Sequence, residues 1–83
     1  MAGELQVKAL LFASYADAFG SAEVPLLLIA GSTVGDAVAA VRAKSPAAIP
    51  ARPLVALNER YASYDDVLTQ GDEVALIPPV AGG

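Results

Sequence analysis

The segment Gly31–Pro46, GSTVGDAVAAVRAKSP, is the clearest amphipathic helix in this sequence. Ser32 or Thr33 is a suitable N-cap, and Asp36 follows Thr33 at the spacing of a short capping box. Two basic residues suit the last turn of a helix, and a proline then ends it. Apolar side chains recur at helical spacing and form one stripe, at Val34, Val38 and Val41.

Upstream of this helix, the sequence predicts two strands joined by a short helix. The segment Glu4–Ala13, ELQVKALLFA, begins with apolar and polar residues in alternation, which is the period of a strand. The next residues, SYADAFG, fit a single turn or short helix that ends at Gly20. The segment Ala22–Ala30, AEVPLLLIA, reads as a second strand, and Pro25 favours an edge position for it. A hairpin-like return is the simplest connection between the two strands.

Downstream of the helix, a proline-rich connector leads to three further short strands. PLVALNERYASY predicts a strand, a turn at Asn58–Arg60 and a short strand at Tyr61–Ser63. DDVL fits one helical turn, and EVALI is the last strand. This order predicts an α+β domain, a ubiquitin-like β-grasp with a mixed sheet of about five strands and one main helix. The first and last strands should pair in parallel at its centre. We expect the domain to span residues 1–77 and an extended tail to span residues 78–83.

The composition of this chain excludes several classes of function. Its 83 residues are enough for one domain. The sequence has no cysteine and no histidine, which excludes disulfides, zinc sites and thiol or Ser–His catalysis within this chain. We predict no metal site. The net charge is −4 and the five basic residues are scattered, so nucleic acid is a poor candidate partner and a basic protein surface is a better one. No apolar run is long enough to span a bilayer and no signal peptide is evident, so we expect no membrane partner and a cytoplasmic location.

Two apolar residues fall on strand faces that charged neighbours mark as solvated. Phe12 shares its face of the first strand with Gln6 and Lys8, and Ile77 shares its face of the last strand with Glu73. If these strands are neighbours, Phe12 and Ile77 form one outer apolar patch, and such patches mark partner surfaces. Covering of either residue by a loop or by the short helix is the alternative. Tyr61 is a weaker third member of the patch.

The last six residues, PPVAGG, suit a projecting tail. Pro78 and Pro79 favour an extended exit and remove two backbone donors, so the strand ladder does not simply continue. Gly82 and Gly83 carry no side chain, so this end can enter a narrow channel. A carboxylate is inert until it is converted to a mixed anhydride, normally with ATP. The sequence has no phosphate-binding loop, since GSTVGD lacks its lysine and spacing. ATP would therefore be bound by a partner, and the tail would be the substrate.

These residues resemble a known family. GDEVALIPPVAGG is similar to the C-terminus of the small subunits of molybdopterin synthase, the MoaD-type ubiquitin-like sulfur carriers. The similarity continues through VKALLFASYADAFG, STVGDAVAAVRAKSP and VALNERYASYDDVLTQGDEV. The resemblance implies that an E1-like enzyme adenylates the carboxylate of Gly83 with ATP and that the product becomes a thiocarboxylate. Gly82 would give access to it. The chain itself would bind no cofactor.

The same resemblance implies the partners and the acceptor of the sulfur. The tail would enter the active site of the large subunit of molybdopterin synthase and donate sulfur to a pyranopterin precursor of molybdopterin. Catalysis would then lie in the large subunit, this chain would have no active site of its own, and two copies of each subunit would form a heterotetramer. The residues expected to contact the partners are those of the apolar patch and the tail: Phe12, Tyr61, Ile77, Pro78, Pro79, Val80 and Ala81.

Other functions stay open on the sequence alone. A ThiS-type carrier for thiamine biosynthesis, or a carrier for cysteine synthesis, would share the chemistry of Gly83. A ubiquitin-like protein modifier would instead form an isopeptide bond to a lysine. A noncovalent interaction module would not need Gly82 and Gly83 at all. The paired acids Asp65–Asp66 and Asp72–Glu73 are typical of solvated turns, and nothing in the sequence places them across a cleft.

Overall fold

The amphipathic segment forms the longest helix of the computed structural model, which describes residues 3–79. The elements in chain order are β1 (Glu4–Leu11), α1 (Ala13–Phe19), β2 (Glu23–Ile29), α2 (Val34–Lys44), β3 (Leu54–Leu57), β4 (Arg60–Tyr61) and β5 (Glu73–Ile77). The predicted strands, short helix and main helix are therefore confirmed, with ends that shift by one or two residues. Within these residues, no helix is long and apolar enough to cross a bilayer.

The five strands form one mixed sheet in the order β2-β1-β5-β3-β4. β1 and β5 pair in parallel at its centre, with Leu11 opposite Leu76. β2 returns antiparallel to β1 and lies at one edge of the sheet, as Pro25 predicts. β3 pairs antiparallel with both β5 and β4. This topology is the predicted ubiquitin-like β-grasp.

The hydrophobic core lies between one face of the sheet and α2. Residues at every second position of β1 face it, from Val7 to Leu11, and the valine stripe of α2 is buried against them. Val74 and Leu76 of β5 complete the centre of the core. Ile49, in the proline-rich connector, is also fully buried. Strand and helix periodicity did not predict Ile49, because it lies in neither a strand nor a helix.

The start of α2 has the predicted capping box, with Thr33 as the N-cap. The Thr33 hydroxyl accepts from the Asp36 amide at 3.3 Å, and the Asp36 carboxylate accepts from the Thr33 amide at 2.9 Å. These two bonds satisfy donors that the first turn of a helix leaves free. α1 ends at Gly20, whose φ of 94° is left-handed and therefore suits a residue without Cβ.

The helical turn suggested for DDVL is not formed. The amide of Asp66 instead donates to the Ser63 carbonyl, and Val67 makes an antiparallel bridge with Thr33. The Leu68 amide donates to the Ser32 carbonyl at 2.8 Å, which holds this stretch extended along the entry to α2. Tertiary hydrogen bonds thus outweigh a weak local preference here, and buried Leu68 closes that end of the core.

Side chains anchor the proline-rich connector to the domain. Arg42 Nε donates to the Ile49 carbonyl at 3.2 Å, and the Tyr64 hydroxyl donates to the Pro53 carbonyl. The Arg52 guanidinium lies 4.2 Å from the centre of the Tyr64 ring, in a cation–π contact. Burial raises the pKa of the Tyr64 hydroxyl, although the charge of Arg52 acts in the opposite direction. Tyr64 therefore stays protonated as the donor that fixes the connector.

Asp72 joins the turn before β5 to the loop between β3 and β4. Its carboxylate accepts from Asn58 Nδ2 at 3.0 Å, from the Thr69 amide at 2.8 Å and from the Thr69 hydroxyl at 3.1 Å. The Asp72 residue is buried. The bond from Asn58, followed by the bond from the Thr69 amide, lowers the pKa of the Asp72 carboxyl. Asp72 is thus a structural carboxylate of the domain.

Replacing Asp72 with alanine is expected to lower the free energy of unfolding by about 1–3 kcal/mol, because hydrogen bonds to a charged acceptor are lost. The folded-state pKa is the lower one, so this stabilisation is present at neutral pH and is lost as the pH falls below about 4. Urea denaturation from neutral pH to acid measures both effects. The control is Asp65→Ala, at an exposed position. Equal stability of the two variants at neutral pH would contradict the assigned role.

Candidate partner-binding site

A shallow apolar groove of about 360 Å³ lies on the face of the sheet away from α2. We call the apolar residues that line it the apolar patch: Leu10, Phe12, Ala56, Tyr61, Ala75 and Ile77. Phe12, Ile77 and Tyr61, which the sequence singled out, therefore lie together. Leu54, directly opposite Ile77 on β3, is also exposed and extends the apolar surface.

Strand register builds the centre of the patch as one row across four strands. Leu10 of β1 pairs with Ala75 of β5, Ala75 pairs with Ala56 of β3, and Ala56 pairs with Tyr61 of β4. Paired residues in neighbouring strands point to the same face of a sheet. Two small alanines lie between the larger side chains of Leu10 and Tyr61, which makes the surface concave at its middle.

Phe12 occupies a position where local sequence preferences favour a polar residue. It is the N-cap of α1, yet its side chain makes no capping hydrogen bond, and serine, threonine, aspartate and asparagine are preferred at such positions. Its side chain is 47% exposed. An exposed aromatic residue in place of a cap contributes less to stability than a polar one would. Residues that break local rules in this way concentrate at functional sites.

Two carboxylates, Glu59 and Glu73, also line the groove. Glu59 lies in the two-residue turn between β3 and β4, where Asn58 has φ 50° and Glu59 has φ 73°. Such turns favour glycine at the second position, so glutamate here carries backbone strain. Lys8 of β1 is paired with Glu73 across the strands, but its ammonium group forms an ion pair with Glu23 of β2 at 3.5 Å. The groove is therefore apolar with an acidic rim, which suits an apolar partner surface with basic neighbours.

Replacing Glu59 with glycine is expected to raise the free energy of unfolding by about 1 kcal/mol, because glycine adopts the left-handed conformation without a Cβ clash. Urea denaturation measures the change. The control variant Glu59→Gln removes the same charge but keeps the side chain, so its stability should stay close to that of the wild type. A less stable Glu59→Gly variant would show that the glutamate side chain, and not the backbone, determines stability at this turn.

The chain leaves the sheet beside the patch. β5 ends at Ile77, and Pro78 and Pro79 follow outside any strand. The other predicted tail residues, Val80, Ala81, Gly82 and Gly83, lie outside the described residues. The division into a domain of residues 1–77 and a tail of residues 78–83 therefore stays a prediction, as do the roles of these residues in binding and chemistry.

Sequence reasoning missed about half of the groove. Alternation along β1 and β5 places Leu10 and Ala75 on the outer face, but their alignment with Ala56 depends on register between distant strands. The sequence predicts Glu59 as part of the turn at Asn58–Arg60 and does not place it in the groove. A glutamate at the second position of an Asn-X turn was a usable signal, because glycine is the preferred residue there.

The lining of the groove suits the binding of another molecule. Its lining residues are apolar side chains and two carboxylates, with no nucleophile paired to a base. Across residues 3–79, no cluster of three or more carboxylate, histidine or cysteine side chains is arranged to hold a metal. What this arrangement can do chemically is to hold a partner next to the point where the chain leaves β5.

Comparison with known proteins gives the family. The ThiS family model matches residues 9–83, which includes β5, the patch residues and the diglycine. This chain belongs to the ThiS family. Curated relatives of this chain are named molybdopterin synthase sulfur carrier subunit. The one from Chlamydomonas reinhardtii is 36% identical, and the match covers 95% of this chain and all of that protein. The one from Arabidopsis thaliana is 33% identical over 95% of this chain and 84% of that protein.

A solved structure shows the same fold in a protein with a different name. The crystal structure of small archaeal modifier protein 1 (SAMP1) from Haloferax volcanii superimposes with a TM-score of 0.84. It is 32% identical, with 98% of this chain and 100% of that chain covered. The resemblance to ubiquitin-like sulfur carriers and the β-grasp fold are therefore confirmed for this ThiS-family chain.

Proposed function

We propose that this ThiS-family chain is a sulfur carrier that serves as the small subunit of molybdopterin synthase. The observation that carries the proposal is the match to relatives named molybdopterin synthase sulfur carrier subunit, at 33–36% identity over 95% of this chain. The family match of this chain extends through Gly83. The apolar patch beside the end of β5 supports it, because a carrier must hold its partner where its C-terminal residues reach the partner's active site.

The proposed chemistry begins at the carboxylate of Gly83. A carboxylate oxygen attacks the α-phosphorus of ATP in an E1-like adenylating enzyme, and pyrophosphate leaves. Hydrosulfide then attacks the carbonyl carbon of the acyl adenylate, the carbon–sulfur bond forms as AMP leaves, and loss of the sulfur-bound proton gives the thiocarboxylate. ATP belongs to the activating enzyme, so this chain needs no cofactor of its own.

In the second half of the cycle the large subunit of molybdopterin synthase binds the loaded carrier. The thiocarboxylate sulfur displaces an oxygen substituent from a carbon of the pyranopterin precursor, so that a carbon–sulfur bond forms as a carbon–oxygen bond breaks. Water then cleaves the bond between that sulfur and the Gly83 carbonyl. Sulfur stays on the pterin and the carboxylate is regenerated. We propose that Phe12, Tyr61 and Ile77 dock on the large subunit, in a heterotetramer of two copies of each subunit. Pro78 to Ala81 would then carry Gly82 and Gly83 into the active site.

Intact-mass spectrometry tests the proposal directly. The full chain is incubated with ATP, a sulfide source and an E1-like enzyme that is active on another carrier. The expected result is the mass gain of one oxygen-to-sulfur exchange, located on the C-terminal peptide. Addition of the large subunit and the pyranopterin precursor should then remove that gain and produce molybdopterin. Absence of any mass change with an active enzyme would overturn the carrier function.

Protein modification is the second candidate function, and the similarity to small archaeal modifier protein 1 favours it. Both functions share activation of Gly83 and differ in the nucleophile that attacks it. A lysine amine gives a stable isopeptide bond, whereas sulfur gives a thiocarboxylate. Immunoblotting of cell extract for the tagged chain distinguishes them: bands of higher mass that survive reducing agent would indicate a modifier. A carrier for thiamine biosynthesis would load sulfur but not yield molybdopterin.

A further inference from the structure

A second exposed apolar surface lies on β2, at the opposite edge of the sheet from β4. Leu27 and Ile29 are 60% and 72% exposed and point to the same outer face as Pro25. The ion pair of Lys8 with Glu23 lies between this surface and the apolar patch. The groove and the edge of β2 are therefore separate surfaces, and the proposed function does not use the second one.

The register of β1 and β2 shows which backbone groups of β2 point away from the sheet. The Leu11 amide donates to the Ala22 carbonyl, and the Ala30 amide donates to the Gly3 carbonyl. Even-numbered residues of β2 therefore bond to β1, since hydrogen bonding alternates along an antiparallel pair. Odd-numbered residues direct their amides and carbonyls outward, at Glu23, Pro25, Leu27 and Ile29.

At both ends of this outer edge, outward backbone groups already form hydrogen bonds within the chain. The Ser21 hydroxyl donates to the Glu23 carbonyl at 2.8 Å and accepts from the Glu23 amide at 3.3 Å. The Ile29 carbonyl accepts from the Ser32 amide at 3.1 Å. Pro25 has no amide hydrogen to donate. Between these closed ends, the outward groups are the Pro25 carbonyl, the Leu27 amide and carbonyl, and the Ile29 amide, and no hydrogen bond among the described residues uses them.

The two carbonyls and two amides match the hydrogen-bonding pattern of the same edge in a second copy of the chain. When a second β2 pairs antiparallel about a two-fold axis at Leu27, each Leu27 amide meets the Leu27 carbonyl of the other copy. Each Ile29 amide then meets the Pro25 carbonyl of the other copy. The Ile29 carbonyl, which already accepts from Ser32, lies opposite Pro25, which has no amide hydrogen to donate. A partner strand with an ordinary residue there would have to share the Ile29 carbonyl with the Ser32 amide.

We propose that β2 is the interface of a homodimer in which two copies join their sheets through this edge. The side chains agree with the backbone pattern, because Leu27 lies beside Leu27 of the second copy and Pro25 lies beside Ile29 of the second copy on the outer face. The interface is isologous, as two-fold symmetry requires. The groove faces away from this edge, so a dimer leaves it open to a partner.

The dimer is weak and depends on salt. One strand pairing buries less surface than a standard interface, which places it among transient contacts. Each copy carries a net charge of −4, so repulsion between copies opposes association and added salt screens it. Self-association should therefore strengthen with salt, in contrast to an interface held by ion pairs.

Sedimentation velocity of the full chain up to about 1 mM, at low and high salt, tests the dimer. The wild type should self-associate more strongly at high salt. Leu27→Asp should weaken association by roughly 100-fold, because symmetry places two substituted side chains at one contact. The control is Leu54→Asp, another exposed leucine of the outer face, at the far end of the sheet, and it should dimerise like the wild type. If Leu54→Asp loses the dimer and Leu27→Asp keeps it, the interface lies at the apolar patch and the proposal is overturned.

Amide hydrogen exchange supplies a second readout that identifies the contact. The Leu27 and Ile29 amides should exchange at least tenfold more slowly at high protein concentration than at low concentration. The Glu23 amide, already bonded to Ser21, should change little. A chain that stays monomeric at about 1 mM in high salt would overturn the proposal. So would a dimer with unchanged exchange at Leu27, or protection of Leu27 only when another protein's strand is added.

Discussion

Deletion of Gly82 and Gly83 is expected to abolish the ATP-dependent loading of sulfur while the melting temperature stays unchanged. The physical reason is the reach of the reacting group. Without the diglycine, the terminal carboxylate lies on Ala81, two residues short of the adenylating site and next to a side chain. Displacement of a reacting group by about 1 Å can lower the rate roughly 100-fold. Loss of two residues shortens the reach of the carboxylate by about 7 Å.

Single substitutions refine this test. Gly83→Ala adds one Cβ beside the carboxylate and should lower the loading rate by roughly 100-fold, since the reacting carbon is displaced. The control is Gly3→Ala, where the added Cβ meets only the Ala30 side chain at an ordinary contact distance of 3.8 Å. Intact-mass measurement over time gives the rates. Full loading of the deletion variant would place the sulfur on another group, and a melting temperature lowered by many degrees would make the tail part of the fold.

Phe12→Asp is expected to weaken binding to the large subunit of molybdopterin synthase by about 30-fold or more, because burial of large aromatic side chains dominates the energy of an interface. The same change replaces a poor N-cap of α1 with a preferred one. Stability should therefore be unchanged or slightly higher. Loss of binding without loss of stability separates a docking role from a structural role, and this separation is unusual for an aromatic residue.

Calorimetric titration of the two subunits measures the affinity, and thermal denaturation measures the stability of each variant. The matched control is Val67→Asp, which places the same charge at another exposed apolar residue, beside the start of α2 and away from the groove. Its affinity should stay near that of the wild type. Equal losses in both variants would indicate a general effect of charge, and unchanged binding by Phe12→Asp would remove the groove from the proposed interface.

Local patterns in the sequence predicted much of the fold. The alternation in β1 and β5 assigned their core and outer faces correctly, because side chains of a strand alternate regardless of which strand lies beside it. The capping box at Thr33 and Asp36 and the glycine at the end of α1 marked helix ends for equally local reasons. Placement of Phe12 and Ile77 on the outer face followed from the same alternation.

Contacts between distant segments depended on packing and register. Ile49 is a core residue in an irregular connector, and no period marks such a position. The segment at Val67 is extended because the Ser32 carbonyl and the Val34 amide form hydrogen bonds with it across the domain, which a local helical preference does not reveal. The acidic rim at Glu59 likewise depends on a turn that lies beside the groove only after β3 and β4 pair.

The composition and order of this chain were therefore sufficient for the ubiquitin-like class, the outward position of Phe12 and Ile77, and the diglycine on which the proposed chemistry rests. These properties follow from dihedral preferences, side-chain alternation and the residues present. The groove and the self-complementary edge of β2 needed the folded chain. Register between strands far apart in sequence determines which side chains form one surface, and it also determines which backbone groups of β2 remain free for another molecule.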